Sequence, residues 1–197
     1  MQNITKSDTP NFFKKIEINK AIKNWKDLDK LLISETEISI KEELRKYILE
    51  NEQNSRCVYC EVKITSSNSK SHIEHIEPKD KAPNKFKDYR NLVVSCNASK
   101  TCGNHKGNNY SSDFINPVLE NPEKYLTYDL MTGEIIPRNS DERSMERANY
   151  TIELLNLNYS KLKNIRSKFI LEAEKMKDFL EYLDEFPSLK NIIKSKY

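Results

Sequence analysis

The chain has 197 residues, with 33 Lys and Arg against 30 Asp and Glu and a formal net charge of +3. Mean hydropathy is -0.80. That length can bury a core and suits one domain, or a small domain with helical extensions. No apolar run approaches the roughly 20 residues of a membrane span, and the opening MQNITKSDTPNFFKK lacks a secretory apolar stretch. A cytoplasmic location is the expectation. Acidic and basic residues interleave, so the charge permits nucleic-acid binding without marking a basic face.

The elements follow in chain order. Asp8-Thr9-Pro10 reads as a turn or helix start. Apolar residues from Ala21 to Trp25, then Leu28, Leu31 and Leu32, fall at helical spacings. Ser39 to Gln53 is a clearer helix. Ser39 and Glu42 fit a capping box, and Ile40, Leu44 and Ile48 form one stripe. From Asn54 to about Pro122 helical periodicity vanishes. Two short strands are predicted there, His72 to Glu77 and Asn91 to Ser95, joined by the polar loop PKDKAPNKFKDYR. A loop of that length inside a compact domain is usually functional or held by a metal.

Thr127 to Pro137 reads as a hairpin turning at Thr132-Gly133. Ile152 and Leu155 belong to a short helix. Asn158 is placed to cap a longer one, striped by Leu162, Ile165, Phe169, Ala173, Met176, Leu180 and Leu183, which Pro187 should end. Its Lys161, Lys163, Arg166 and Lys168 read as a solvated face. The predicted fold class is α+β. A helical segment covers 1–54, a cysteine-framed core covers 55–122, and a hairpin with C-terminal helices covers 123–197.

The four cysteines all lie in the middle region: Cys57-Val-Tyr-Cys60, then Cys96 and Cys102 with five residues between. Two residues between cysteines let both thiolates reach one ion from a tight turn. Two such pairs make a four-sulfur site, the closed geometry of structural zinc. Buried free thiols are the bland alternative. A redox CxxC would normally follow a βαβ pattern, which is absent, and would leave the second pair unexplained.

All three histidines share this region. IEHIEPK lies between the cysteine pairs, Tyr89-Arg90-Asn91-Leu92 just before the second, and Gly103-Asn104-His105-Lys106-Gly107 just after it. This order resembles the HNH, or ββα-metal, nucleases. In that family an acidic residue and a histidine end one strand, an asparagine opens the next, and an Asn or His follows on a helix.

The resemblance implies phosphodiester hydrolysis. His75 would be the general base, since a neutral imidazole takes a proton from water near neutral pH. Glu74, which is Asp in most of the superfamily, and one of Asn104 or His105 would hold a catalytic divalent ion. Carboxylate and amide oxygens suit Mg²⁺ or Mn²⁺. Asn91 would orient the His75 loop, Arg90 and Lys106 would contact phosphates, and His72 is read as a bystander or a supporting group. Adjacent strand residues face opposite ways. Glu74 and His75 can therefore share a site only if the strand ends there, and Pro78 supports an early end.

A narrower resemblance runs through NWKDLDK, ILENEQNSRCVYCE, IEHIEPK, NLVVSC, CGNHKG, FINPVLENPEKYLTYDLMTGEII and ELLNLNYSKLKNIR. Their order is similar to the Septu-type HNH subunit, often called PtuB, of bacterial antiphage systems. It implies a nuclease acting on DNA or RNA beside an SMC-like ATPase subunit. In retron forms it implies a reverse transcriptase with its RNA–DNA product. The competing readings are a zinc-framed nucleic-acid-binding module without catalysis and a mainly structural interaction subunit.

Overall fold

A computed structural model describes residues 1–33, 37–176 and 182–196. The architecture is mixed helix and small sheets, α+β as expected. The N-terminal part holds α1 (Asn11–Ile18), a 3-10 turn (Trp25–Lys30) and α2 (Ile40–Asn51). Two antiparallel strands, β1 (Ser71–His75) and β2 (Leu92–Cys96), come next, followed by the short α3 (Cys102–Lys106). A second hairpin, β3 (Leu126–Tyr128) with β4 (Ile135–Pro137), precedes α4 (Glu142–Leu154), α5 (Ser160–Lys175) and α6 (Pro187–Lys194).

Helix α2 buries the predicted stripe of Ile40, Leu44 and Ile48. It packs that face on β1 and β2. The Ser39 side chain accepts from Glu42 N at 3.2 Å, the first half of the expected box. Each fully buried apolar side chain removes surface worth roughly 1.5–3 kcal/mol, so this stripe seats the helix on the hairpin. One apolar cluster runs from Phe13 and Leu28 through Val93 and Val94 to Leu162, Phe169 and Leu189. The helices before and after the cysteine region therefore share its core.

The two-stranded β1–β2 sheet leaves the far edge of β2 open, and unpaired backbone there is costly when buried. Gln53 closes it. Its side chain accepts from Val94 N at 2.8 Å and donates to Val94 O at 2.8 Å. Val58 N also reaches Val94 O. The Asx-like turn at Asp129 and Gly133 closes the second hairpin. Gly133 has φ 71°, and a Cβ there would lie 2.8 Å from Lys163 O.

Several expectations shift. The strands are displaced by one or two residues, and the first stops at His75. The apolar spacing around residues 21–32 forms only a 3-10 turn. The helix with Ile152 is a full 13 residues, with Leu155 at its C-cap. Asn158 does not cap α5. Its side chain bonds Ile135 N and O, both at 2.8 Å, and so ties the second hairpin to α5. Helix α5 ends at Lys175 with Met176 as C-cap; Leu180 lies outside the described residues.

Pro187 does not stop a helix. It opens α6, where its missing N–H costs nothing. Arg166 is not on a solvated face. It is fully buried and donates to Gly133 O at 2.6 Å and Leu157 O at 2.9 Å. Side-chain hydrogen bonds to stranded carbonyls thus override the charge pattern. No helix among the described residues is long and apolar enough to cross a membrane.

Candidate functional site

The cysteine centre is built from three backbone pieces. Residues 57–62 form a tight turn in which Glu61 N bonds Cys57 O and Cys57 N bonds Val62 O, both at 3.0 Å. Cys96 ends β2, and Cys102 opens α3 with a left-handed φ of 59°. All four thiols are buried and free, and their sulfurs lie within 4.8 Å of one another. Cys60 and Cys96 sulfurs are 3.9 Å apart. A tetrahedral ion with sulfur at about 2.3 Å needs sulfurs about 3.8 Å apart, so the set can hold a metal such as zinc.

Cys96 N donates to Cys57 Sγ at 3.3 Å, as a thiolate ligand requires. Burial opposes ionisation of Cys57, yet hydrogen bonds from Cys102, Cys60 and Cys96 hold its pKa well below the ordinary thiol value. Cys102 is pushed the other way, chiefly by Cys57. One thiolate suppresses its neighbours until a cation neutralises them.

On the neighbouring side of α3 a cleft of about 270 Å³ is lined by His72, Glu74, His75, Lys79, Gly103 and Asn104, among others. Strand β1 ends at His75, so Glu74 and His75 border one cleft although they are adjacent in sequence. His75 Nε2 lies 2.9 Å from Phe86 O. A carbonyl only accepts, so Nε2 carries the proton and Nδ1 is the basic nitrogen. Trp25 meets the imidazole edge-on, with centroids 4.6 Å apart. Burial, aided by the charges of Lys79 and Lys106, lowers the His75 pKa to about 4. The ring is neutral at physiological pH.

Asn91 sits immediately before β2. Its Oδ1 accepts from Glu77 N at 2.8 Å, and its Nδ2 donates to Glu77 O at 3.0 Å and Lys85 O at 3.2 Å. Ile76 N bonds Asn91 O at 3.0 Å. This one asparagine therefore ties the segment after His75 to the loop that carries Phe86. Asn104 is exposed at the cleft. His105 is placed elsewhere: its Nδ1 faces Leu154 O at 3.0 Å, towards α4.

Lys106 corrects another expectation. Its ammonium is buried, not free for phosphates, and lies 2.8 Å from Glu74 Oε1. It donates to His75 O at 3.2 Å. The Lys106 and Glu74 side chains form a buried ion pair that joins α3 to β1. Burial tends to raise the Glu74 pKa, but His72 and Lys106 together hold it below the ordinary value. Glu74 is a carboxylate.

Trp25, Phe86 and Gly103 carry no chemical signature in sequence and emerge only here. His72 does carry one: the H-x-E spacing puts it on the same strand face as Glu74. Arg90 is exposed beside Asn91.

No family model matches the chain. The chain is similar to Septu protein PtuB of Bacillus thuringiensis, at 36% identity over 75 residues, which is 37% of this chain and 28% of that relative. The shared segment thus spans little more than a quarter of the relative, and it supports a Septu-like relationship for this chain.

Proposed function

We propose that the chain is a metal-dependent HNH endonuclease that hydrolyses phosphodiester bonds of DNA or RNA. One observation carries this reading. A carboxylate, Glu74, and a neutral imidazole, His75, border one cleft with Asn104, and the imidazole is held in a single tautomer by a carbonyl that Asn91 positions.

His75 Nδ1 takes a proton from water as its oxygen attacks phosphorus. The bond to the 3′ oxygen breaks and that oxygen takes a proton from solvent water, leaving a 5′-phosphate and a 3′ hydroxyl. Trp25 and the surrounding burial keep the base unprotonated. Phe86 O fixes the ring so that Nδ1 does not rotate away. Glu74 and Asn104 would hold Mg²⁺ or Mn²⁺, which supplies charge stabilisation at the phosphate and leaving oxygen when bound. The four cysteines would hold zinc as a structural clamp between the 57–62 turn, β2 and α3.

The Septu-like relationship supports a role in antiphage defence; the partner proposed with it is an SMC-like ATPase, joined in a retron setting by a reverse transcriptase with its RNA–DNA product. A non-catalytic nucleic-acid-binding role is favoured by one observation: Lys106 already neutralises Glu74. The two readings part in one experiment. The purified chain, alone and with its ATPase, is incubated with plasmid and RNA in Mg²⁺ or Mn²⁺. Cleavage that needs the metal and disappears in His75→Ala is expected. Cleavage that survives His75→Ala removes the base, and binding without cleavage in both settings supports the module.

A further inference from the structure

We infer that His72 Nε2 and Glu74 Oε2 form a paired seat for a divalent cation above Gly103, so that strand β1, not helix α3, supplies the nitrogen ligand. This deepens the nuclease reading and rests on it for the role of Glu74.

The two residues lie on one face of β1 because they are two apart. His72 Nε2 and Glu74 Oε2 are 3.4 Å apart. Two donors each about 2.1 Å from a shared ion stand about 3.0–3.4 Å apart at the usual ligand angles, so one ion reaches both.

The tautomer of His72 is set by its other side. Asn97 Nδ2 donates to Asn68 O at 2.6 Å and Ser71 O at 3.3 Å. Its Oδ1 therefore faces His72 Nδ1, at 2.7 Å. Nδ1 carries a proton, and Nε2 is turned to a carboxylate oxygen, Glu74 Oε2. Without an ion, a second ring proton joins the two atoms as an ion pair, and a divalent cation would take that proton's place. A ring nitrogen that donates outward while its partner faces a metal is the usual arrangement of a ligating histidine.

Gly103 leaves the space. A Cβ there would lie 2.8 Å from both Glu74 Oε2 and His72 Nε2, so any side chain would press on the two donors. The other carboxylate oxygen, Oε1, is held by the Lys106 ammonium at 2.8 Å, which leaves Oε2 as the oxygen that faces His72. His105, the alternative nitrogen, faces Leu154 O instead. Asn104, at the cleft, is available to complete the set.

The test reads metal binding, not activity. The chain, with its cysteine site loaded with zinc, is titrated with Mn²⁺ and followed by electron paramagnetic resonance. Spin-echo modulation then reports any directly bound imidazole nitrogen. One Mn²⁺ site with one nitrogen coupling is expected. His72→Gln and His72→Leu should each weaken binding at least about 10-fold and abolish the coupling, while His75→Ala and His105→Ala keep both. Near-ultraviolet circular dichroism checks that each variant is folded.

A coupling that persists in both His72 variants, or disappears in His105→Ala, overturns the inference. Weakening by Glu74→Gln without weakening at His72 overturns it alone and leaves the nuclease reading standing. Indifference of Mn²⁺ to both residues, or no Mn²⁺ binding, removes the Glu74 metal site and with it both readings.

Discussion

Lys106 Nζ and Glu74 Oε1 stand 2.8 Å apart with side chains 1% and 10% exposed. The pair joins α3 to β1 at the edge of the cleft. Charges so far from water lose much of their mutual attraction to desolvation, and removing one partner strands the other. Lys106→Met should therefore destabilise the protein by about 3 kcal/mol in urea unfolding without Mn²⁺. Millimolar Mn²⁺ should restore part of that, because a cation can replace the ammonium beside Glu74. A loss below about 1 kcal/mol would show a solvated, weakly coupled pair.

The cysteine centre predicts about one zinc per chain by elemental analysis. Chelation, or Cys96→Ser, should lower the melting temperature by several degrees or more and expose apolar surface around Val58 and Val94. The metal competes with protons for thiolates, so zinc should be released more easily as pH falls. A folded, zinc-free protein with unchanged melting temperature would overturn the clamp.

His75 should titrate near 4 by NMR in the zinc-loaded chain without Mg²⁺ or Mn²⁺. Trp25→Ala lets water reach the ring, so the midpoint should move up towards the ordinary value of about 6.5. A depressed folded pKa gives stability that is full above the unfolded value and is lost as pH falls through about 4. The loss from this group is on the order of 3 kcal/mol at most. A wild-type midpoint near 6.5 would show that the ring is not buried.

Asn91→Ala strands Glu77 N, Glu77 O and Lys85 O at a buried position. A stability loss of about 1–3 kcal/mol is expected. Cleavage should fall while Mn²⁺ binding persists, because Asn91 positions the segment around His75 and touches no metal ligand. Equal loss of metal binding would place Asn91 in the metal site itself.

How far the sequence reaches can be judged residue by residue. The cysteine frame was legible because ligand spacing is a local property of a turn. The α2 stripe and the second hairpin were legible because helical period and turn chemistry are local too. Asn158, Arg166 and Pro187 were misjudged because their roles depend on what packs against them. Asn158 satisfies a hairpin edge, Arg166 satisfies carbonyls inside the core, and Pro187 begins a helix after a left-handed Phe186. Propensity states what a residue tolerates, and packing selects among those options.

The candidate site divides the same way. By itself, the sequence determined which residue types gather between Cys57 and Lys106, and hence which chemistry is open to them. Only the tertiary structure decided their directions. It turned His105 towards α4, buried Lys106 against Glu74, tied the His75 ring to Phe86 O and set His72 against Glu74 over Gly103. Side-chain type is written in the chain, but side-chain direction depends on strand ends, helix starts and the partners that long-range packing brings within hydrogen-bond reach.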